Sequence, residues 1–241
     1  MSVIETAAKP VLYLLPGLMC DAGVWQEQQA ALGDEYEVRV PLFRGFDSLR
    51  AMAEAVLREA PERFSVAGHS MGGRVAFELM ELAGKRIERF AVLDTGVHPV
   101  SPDEPAKRQL LLDLARRKGL QAVAEAWILP MLHPANHGNK SLIAAITAMI
   151  LRNSVADYQG QVKALLTRAD QTPYLRHITQ RTWLIVGESD NWSPVAQHQA
   201  MAALIPRSEL RVVKDAGHMC MMERPEAVTG LLKEWLHAGS R

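Results

Sequence analysis

Three side chains of this sequence could together turn an alcohol into a nucleophile: Ser70, Asp190 and His218. Ser70 lies in Gly68-His69-Ser70-Met71-Gly72-Gly73, with a β-branched apolar run before it and a helix-period run after it. A residue on so tight a strand-to-helix bend holds a strained backbone, and its neighbours two positions away must be small. What the bend provides is an exposed hydroxyl beside a helix N-terminus, whose free N–H groups suit a developing oxyanion. A serine hydroxyl reacts only when a base takes its proton, and that base needs an orienting acid. Asp190 follows the apolar run Trp183-Leu184-Ile185-Val186, and His218 follows Leu210-Arg211-Val212-Val213. Each sits in the loop where a strand should end.

Other residues compete for these roles. Asp94 also ends an apolar run and is the rival acid, placed behind Asp190. His69 is expected to be structural; His98, His133 and His137 fall in or near an inserted segment. His177, His198 and His237 are expected on helix surfaces. Glu223 reads as a cap for the last helix. No two histidines have metal-ligand spacing with a nearby carboxylate, so no metal and no cofactor are expected. Cys20 and Cys220 give no disulfide framework, although a bridge between them is compatible with their positions.

The elements that must position these groups alternate along the chain. Strands are expected at 10–17, 35–43, 63–70, 89–96, 181–190 and 208–218. Helices fall between them: one follows Gly23, one spans 48–60 with Ser48 as its N-cap, and one follows Ser70 and stops at Gly84. Near-continuous apolar strands alternating with helices indicate an α/β fold with a parallel sheet covered on both faces, which gathers ligands at the carboxyl ends of its strands. Between 97 and 179 the alternation stops and only helix signals appear, with Ser141 and Ser154 as expected N-caps. An insertion of that length exceeds the usual connection and reads as a helical cap or lid. The expected organisation is a core at 1–96 and 180–241 and a cap at 97–179.

These motifs resemble the α/β-hydrolase superfamily, in particular its small, capped, esterase-like serine hydrolases. The resemblance rests on "LLPGL", "GHSMGGRVA", "LIVGESDNWSP" and "AGHMCMMERPEAV", covers nearly the whole chain, and includes the order Ser, Asp, His. It implies Ser70 as nucleophile, Asp190 as acid and His218 as base, with the backbone N–H groups of Leu18 and Met71 as oxyanion hole. Pro16-Gly17 stands where many members have His-Gly, and Leu42-Phe43-Arg44-Gly45 replaces a common Asp-x-Arg-Gly. The implied reaction is hydrolysis of a small carboxylic ester through an acyl-enzyme. Lactone or thioester hydrolysis, C–C cleavage, acyl transfer and perhydrolysis use the same constellation; a non-catalytic receptor could retain it too. Dehalogenation is disfavoured, since that chemistry places Asp where this chain has Ser70. Met19, Trp127, Met131, Trp192 and Met219 are the expected substrate contacts.

Bulk properties narrow the partners. The 241 residues carry 27 Lys+Arg and 27 Asp+Glu, and no long basic run appears, so nucleic acid is not an expected partner. The apolar runs are too short to span a bilayer, and the start "MSVIETAAKP" does not read as a secretory leader. A cytoplasmic protein with a small-molecule ester substrate is expected; oligomeric state leaves no mark in the sequence.

Overall fold

The computed structural model describes residues 8–238. Residues 1–7, which carry most of the leader reading and the outer end of the 1–96 segment, and 239–241 lie outside the described residues. Six parallel strands form one sheet in the order β2-β1-β3-β4-β5-β6. They are β1 (Val11–Leu15), β2 (Glu37–Arg39), β3 (Phe64–His69), β4 (Ile87–Leu93), β5 (Thr182–Gly187) and β6 (Ser208–Val213). Every residue of β1, β3 and β5 is buried. Successive side chains of a strand point to opposite faces, so the sheet is covered on both.

The helices that cover it include α1 (Gln26–Leu32), α2 (Leu49–Glu59) and α3 (Met71–Ala83), and, after β5, α7 (Val195–Leu204) and α9 (Pro225–His237). α1 packs against α9 and α2 against α3. Ser48 caps α2 by accepting from Ala51 N–H. α3 stops at Ala83, but Gly84 keeps a right-handed conformation and leads into a short 3-10 turn rather than a left-handed stop. The expected strand at 35–43 shrinks to three residues. It is the sheet's edge, and Pro41 cannot donate to a ladder there.

Between β4 and β5 the chain forms α4 (Glu104–Met131), α5 (Lys140–Leu151) and α6 (Val155–Leu166), and no strand. α4 packs on both α5 and α6. It is two helices meeting at Gly119, whose φ of 78° breaks the helical path. Ser154 caps α6 with a full capping box to Asp157. α5 differs from expectation: its cap is Asn139, which accepts from Leu142 N–H, while Ser141 donates its hydroxyl to Asn139. Asn139 reaches the orphan N–H first, one residue outside the helix. Among the described residues no helix is long and apolar enough to cross a membrane.

The α6 box gives a direct check on this local reading. Ser154→Ala removes the hydroxyl's half of the reciprocal cap, leaving the backbone N–H of residue 154 to donate to Asp157, and should lower stability by about 1 kcal/mol in urea denaturation. A variant of wild-type midpoint would show that the cap contributes nothing.

Candidate active site

Ser70 occupies the one-residue joint between β3 and α3, with φ 52° and ψ −114°. That positive φ is rare for a non-glycine residue and costs on the order of 1–3 kcal/mol unless the surroundings hold it. The surroundings do. Ser70 N–H donates to Leu93 O at 2.9 Å, and Thr95 Oγ1 donates to Ser70 O at 2.7 Å. The bend is closed so tightly that a Cβ on Gly68 would lie 2.4 Å from Gly72 O, and one on Gly72 would lie 2.3 Å from Leu15 O. The two glycines are therefore steric requirements of the bend.

The other two groups come to the hydroxyl from the loops after β5 and β6. Ser70 Oγ lies 2.9 Å from His218 Nε2, and His218 Nδ1 lies 2.9 Å from Asp190 Oδ2. The second oxygen of Asp190 accepts from Trp192 N–H at 2.8 Å and Ser193 N–H at 3.0 Å. Burial opposes the charge on Asp190, but His218 and those two N–H groups outweigh it and hold the carboxyl below the usual range. For His218 burial alone would lower the imidazole. The Asp190 charge and hydrogen bond, with Asp94 and Glu223 beyond, reverse this and raise it above its ordinary value.

Asp94 does not take this place. It is fully buried at the end of β4 with φ 47°, and its carboxylate accepts from Gly187 N–H at 2.8 Å and Cys220 N–H at 3.2 Å. Those two residues flank Asp190 and His218 in sequence, so Asp94 ties both loops to the sheet. Burial, then the nearby Asp190 charge, pushes its carboxyl well above the usual range.

Several further residues hold the site in place. His69 Nε2 donates to His218 O at 2.8 Å. Burial, then repulsion from His218, lowers its imidazole to about 3, so it acts as a neutral donor. His218 N–H donates to Met131 O at 2.7 Å. Glu223 corrects the sequence expectation: it does not cap α9. Its buried carboxylate accepts from Gly217 N–H and His133 N–H, each at 2.8 Å, and from Asn136 Nδ2 at 2.7 Å. It thereby clamps the His218 loop to the helical segment, because α8 (Cys220–Glu223) turns the side chain back toward that loop. Gln161 and Asn153 act on the loop after β1. Gln161 Oε1 accepts from Met19 N–H at 2.8 Å, and Asn153 Nδ2 donates to Met19 O at 2.9 Å.

A cavity of about 440 Å³ opens on Ser70 and His218. Leu18, Met71, Trp127, Met131, Trp192 and Met219 line it. Met19 does not: it is fully buried, and its peptide is held by Gln161 and Asn153. Trp192 lies 5.0 Å from the His218 ring and stacks on Trp127 at 5.1 Å, closing the cavity over the imidazole with one residue from each side.

Remaining expectations resolve by position. His198 is buried rather than on the surface. Its Nε2 accepts from Thr95 N–H at 3.3 Å, and burial lowers it to about 4. A helix face turned toward the sheet reads like a solvent face when it carries a polar residue. Cys20 and Cys220 are both buried, free thiols. His133, Glu188 and Asp215 each bring one potential ligand atom within 4.8 Å of the others, with both carboxylates exposed. His133 already caps a short turn through Nδ1.

Similar proteins are found by sequence and by structure alike. The sequence profile described as "Alpha/beta hydrolase family" matches residues 12–231. The chain is 26% identical to a Cronobacter turicensis protein named "Putative carbamate hydrolase RutD", over 95% of this chain and 91% of that one. It is 26% identical to a pimeloyl-[acyl-carrier protein] methyl ester esterase of Nitrosomonas europaea, over 92% and 94%. A malate-bound thermophilic esterase from Thermogutta terrifontis superposes with a TM-score of 0.86 at 29% identity, covering 96% of this chain and 91% of that one.

The bend itself can be tested without any substrate. Gly72→Ala must push a methyl group into Leu15 O, and should cost about 3 kcal/mol or more in urea denaturation. A loss under about 0.5 kcal/mol would mean the bend has room that its geometry denies.

Proposed function

The chain belongs to the alpha/beta hydrolase family, and on that premise we propose that it is a serine hydrolase of small carboxylic esters. The observation that carries this reading is the unbroken chain from Ser70 Oγ through His218 to Asp190, both contacts at 2.9 Å, opening on a cavity with an apolar wall of Trp127, Met131 and Trp192. An esterase and a methyl ester esterase among the similar proteins support the ester as the substrate bond.

In the proposed reaction His218 Nε2 takes the proton from Ser70 as the oxygen attacks the ester carbonyl. Asp190 holds the imidazole with Nδ1–H facing it and stabilises the positive charge that forms. The N–H groups of Met71, first in α3, and Leu18 stabilise the tetrahedral oxyanion; the start of a helix has such donors to spare. The C–O bond breaks, His218 returns its proton to the leaving alcohol, and the acyl group remains on Ser70. Water, deprotonated by His218, then attacks the acyl carbonyl, and Ser70 recovers its proton. We assign residues 97–179 as the cap that supplies the Trp127 and Met131 walls. The two buried thiols suit the cytoplasmic location proposed here.

A panel of p-nitrophenyl esters of increasing acyl length, run on wild type and Ser70→Ala, tests the reading: hydrolysis should need Ser70. A fluorophosphonate should label the wild type and not Ser70→Ala; a protein that hydrolyses none of the esters and does not label is not a serine hydrolase. Asp190→Asn should lower kcat by roughly 10³–10⁴-fold, while Asp94→Asn should fall within about 10-fold; the reverse pattern would exchange their roles. His218 acts only when neutral, and its affinity for a proton is raised. The acid limb of kcat/KM should therefore have its midpoint above about 6.5, the value of a free imidazole. A rate that does not fall with acidity would exclude a histidine base.

A further inference from the structure

The cavity that opens on Ser70 also holds an excess of positive charge that the proposed ester chemistry does not use. Arg74, Lys107, Arg108 and Arg168 line it, against a single lining carboxylate, Glu104. Glu104 is fully engaged. Its Oε2 lies 2.6 Å from Arg168 Nη2, and its Oε1 accepts from Arg108 Nη2 at 2.7 Å and Arg168 Nη1 at 2.9 Å. Lys107 pairs with Asp103. Arg74 alone of the four has no carboxylate partner among the described residues. Its Nη1 donates to His98 O at 3.2 Å, and its Nη2 lies 3.5 Å from His98 Nε2.

Arg74 is also well placed. It follows Ser70 by four residues on α3, and its N–H donates to Ser70 O at 3.2 Å. Ser70 and Arg74 both line the one cavity, so the reacting hydroxyl and the guanidinium face the same space. Neighbouring cations make the place hostile to another positive charge. Burial, then the charge on Arg168, lowers the Arg74 guanidinium to about 9. The same causes lower His98 to about 4, burial first and then Arg74 and Arg168, so His98 offers Arg74 no charge.

We propose that Arg74 is an anion-binding subsite, and that the substrate is an ester carrying a free carboxylate on its acyl chain: a half-ester of a dicarboxylic acid. A guanidinium matches a carboxylate in geometry and forms charge-assisted hydrogen bonds with it. An incoming carboxylate would supply the counter-charge that Glu104, already shared by two arginines, does not. The apolar wall of Trp127, Met131 and Met149 suits the methylene chain between the two ends. A cavity of about 440 Å³ falls in the range for a ligand of this size. The inference rests on the ester-hydrolase reading and names its substrate class.

The test uses the monomethyl esters of succinic, glutaric, adipic and pimelic acids beside the chain-matched methyl esters of neutral monocarboxylic acids, with the acid released followed by titration. Wild type should favour at least one half-ester over its neutral match by roughly 10-fold or more in kcat/KM. In Arg74→Gln that ratio should collapse by roughly 10- to 100-fold, with the loss in KM rather than kcat. Arg74→Lys, which keeps the charge, should recover part of it. Wild type that hydrolyses the neutral esters through Ser70 without preferring any half-ester overturns the subsite and leaves the hydrolase reading standing. So does Arg74→Gln losing both substrate classes equally, which would make Arg74 structural. Calorimetric titration of the half-esters onto Ser70→Ala separates the other failure. Binding that weakens in Ser70→Ala/Arg74→Gln, alongside a wild type that hydrolyses no ester, would support the subsite and overturn the reaction. Should Arg74→Gln fail to fold, the wild-type preference and Arg74→Lys still decide the matter.

Discussion

A hydrogen bond between two side chains 148 residues apart in sequence, Ser70 Oγ to His218 Nε2, is the contact on which the site depends. Such a bond tolerates an error of only a few tenths of an ångström. Neither residue lies in a regular element, since Ser70 is the joint between β3 and α3 and His218 lies in the loop beyond β6. The precision therefore comes from hydrogen bonds to their backbones. Ser70 is held from both sides by the strand β4 and Thr95. His218 is held through its N–H by Met131, through its carbonyl by His69, and through Gly217 by Glu223.

Two of those holds, Met131 and the Glu223 clamp on His133 and Asn136, come from the helical segment between β4 and β5. The same segment supplies Gln161 and Asn153, which grip the peptide next to Leu18. The insertion thus shapes the cavity and also fixes both loops on either side of Ser70. Changes in the insertion should not be read only as changes in substrate preference. A buried carboxylate such as Glu223 is costly unless its oxygens are satisfied, and three donors meet it here, with Met219 N–H a longer fourth.

What was legible in the sequence follows from local rules. Short apolar strands alternating with helices dictated the parallel sheet. The Gly-x-Ser-x-Gly run dictated the bend, and the meeting of Asp190 and His218 with Ser70 was legible because strand ends in such a sheet share one edge. What was not legible depends on who meets whom across the fold. His198 and Glu223 were each read from neighbours in sequence, as a surface residue and a helix cap, whereas their partners are Thr95 and the loops at 133, 136 and 217. Met19 looked like a pocket residue because it adjoins Leu18, but a φ of 55° turns its side chain into the core. Arg74 was in plain view within the motif, yet only the cavity reveals that it lacks a carboxylate while its neighbours share one.

The central claim is that the Ser70–His218–Asp190 chain makes the hydroxyl of residue 70 the attacking atom. Acid-quenching the protein during turnover of p-nitrophenyl acetate, then mapping the adduct by peptide mass spectrometry, tests it most directly. The account predicts an acetyl group on the peptide that contains Ser70, and on no other serine. Turnover that proceeds while the acetyl group is found only elsewhere, or that persists in Ser70→Ala, would contradict it.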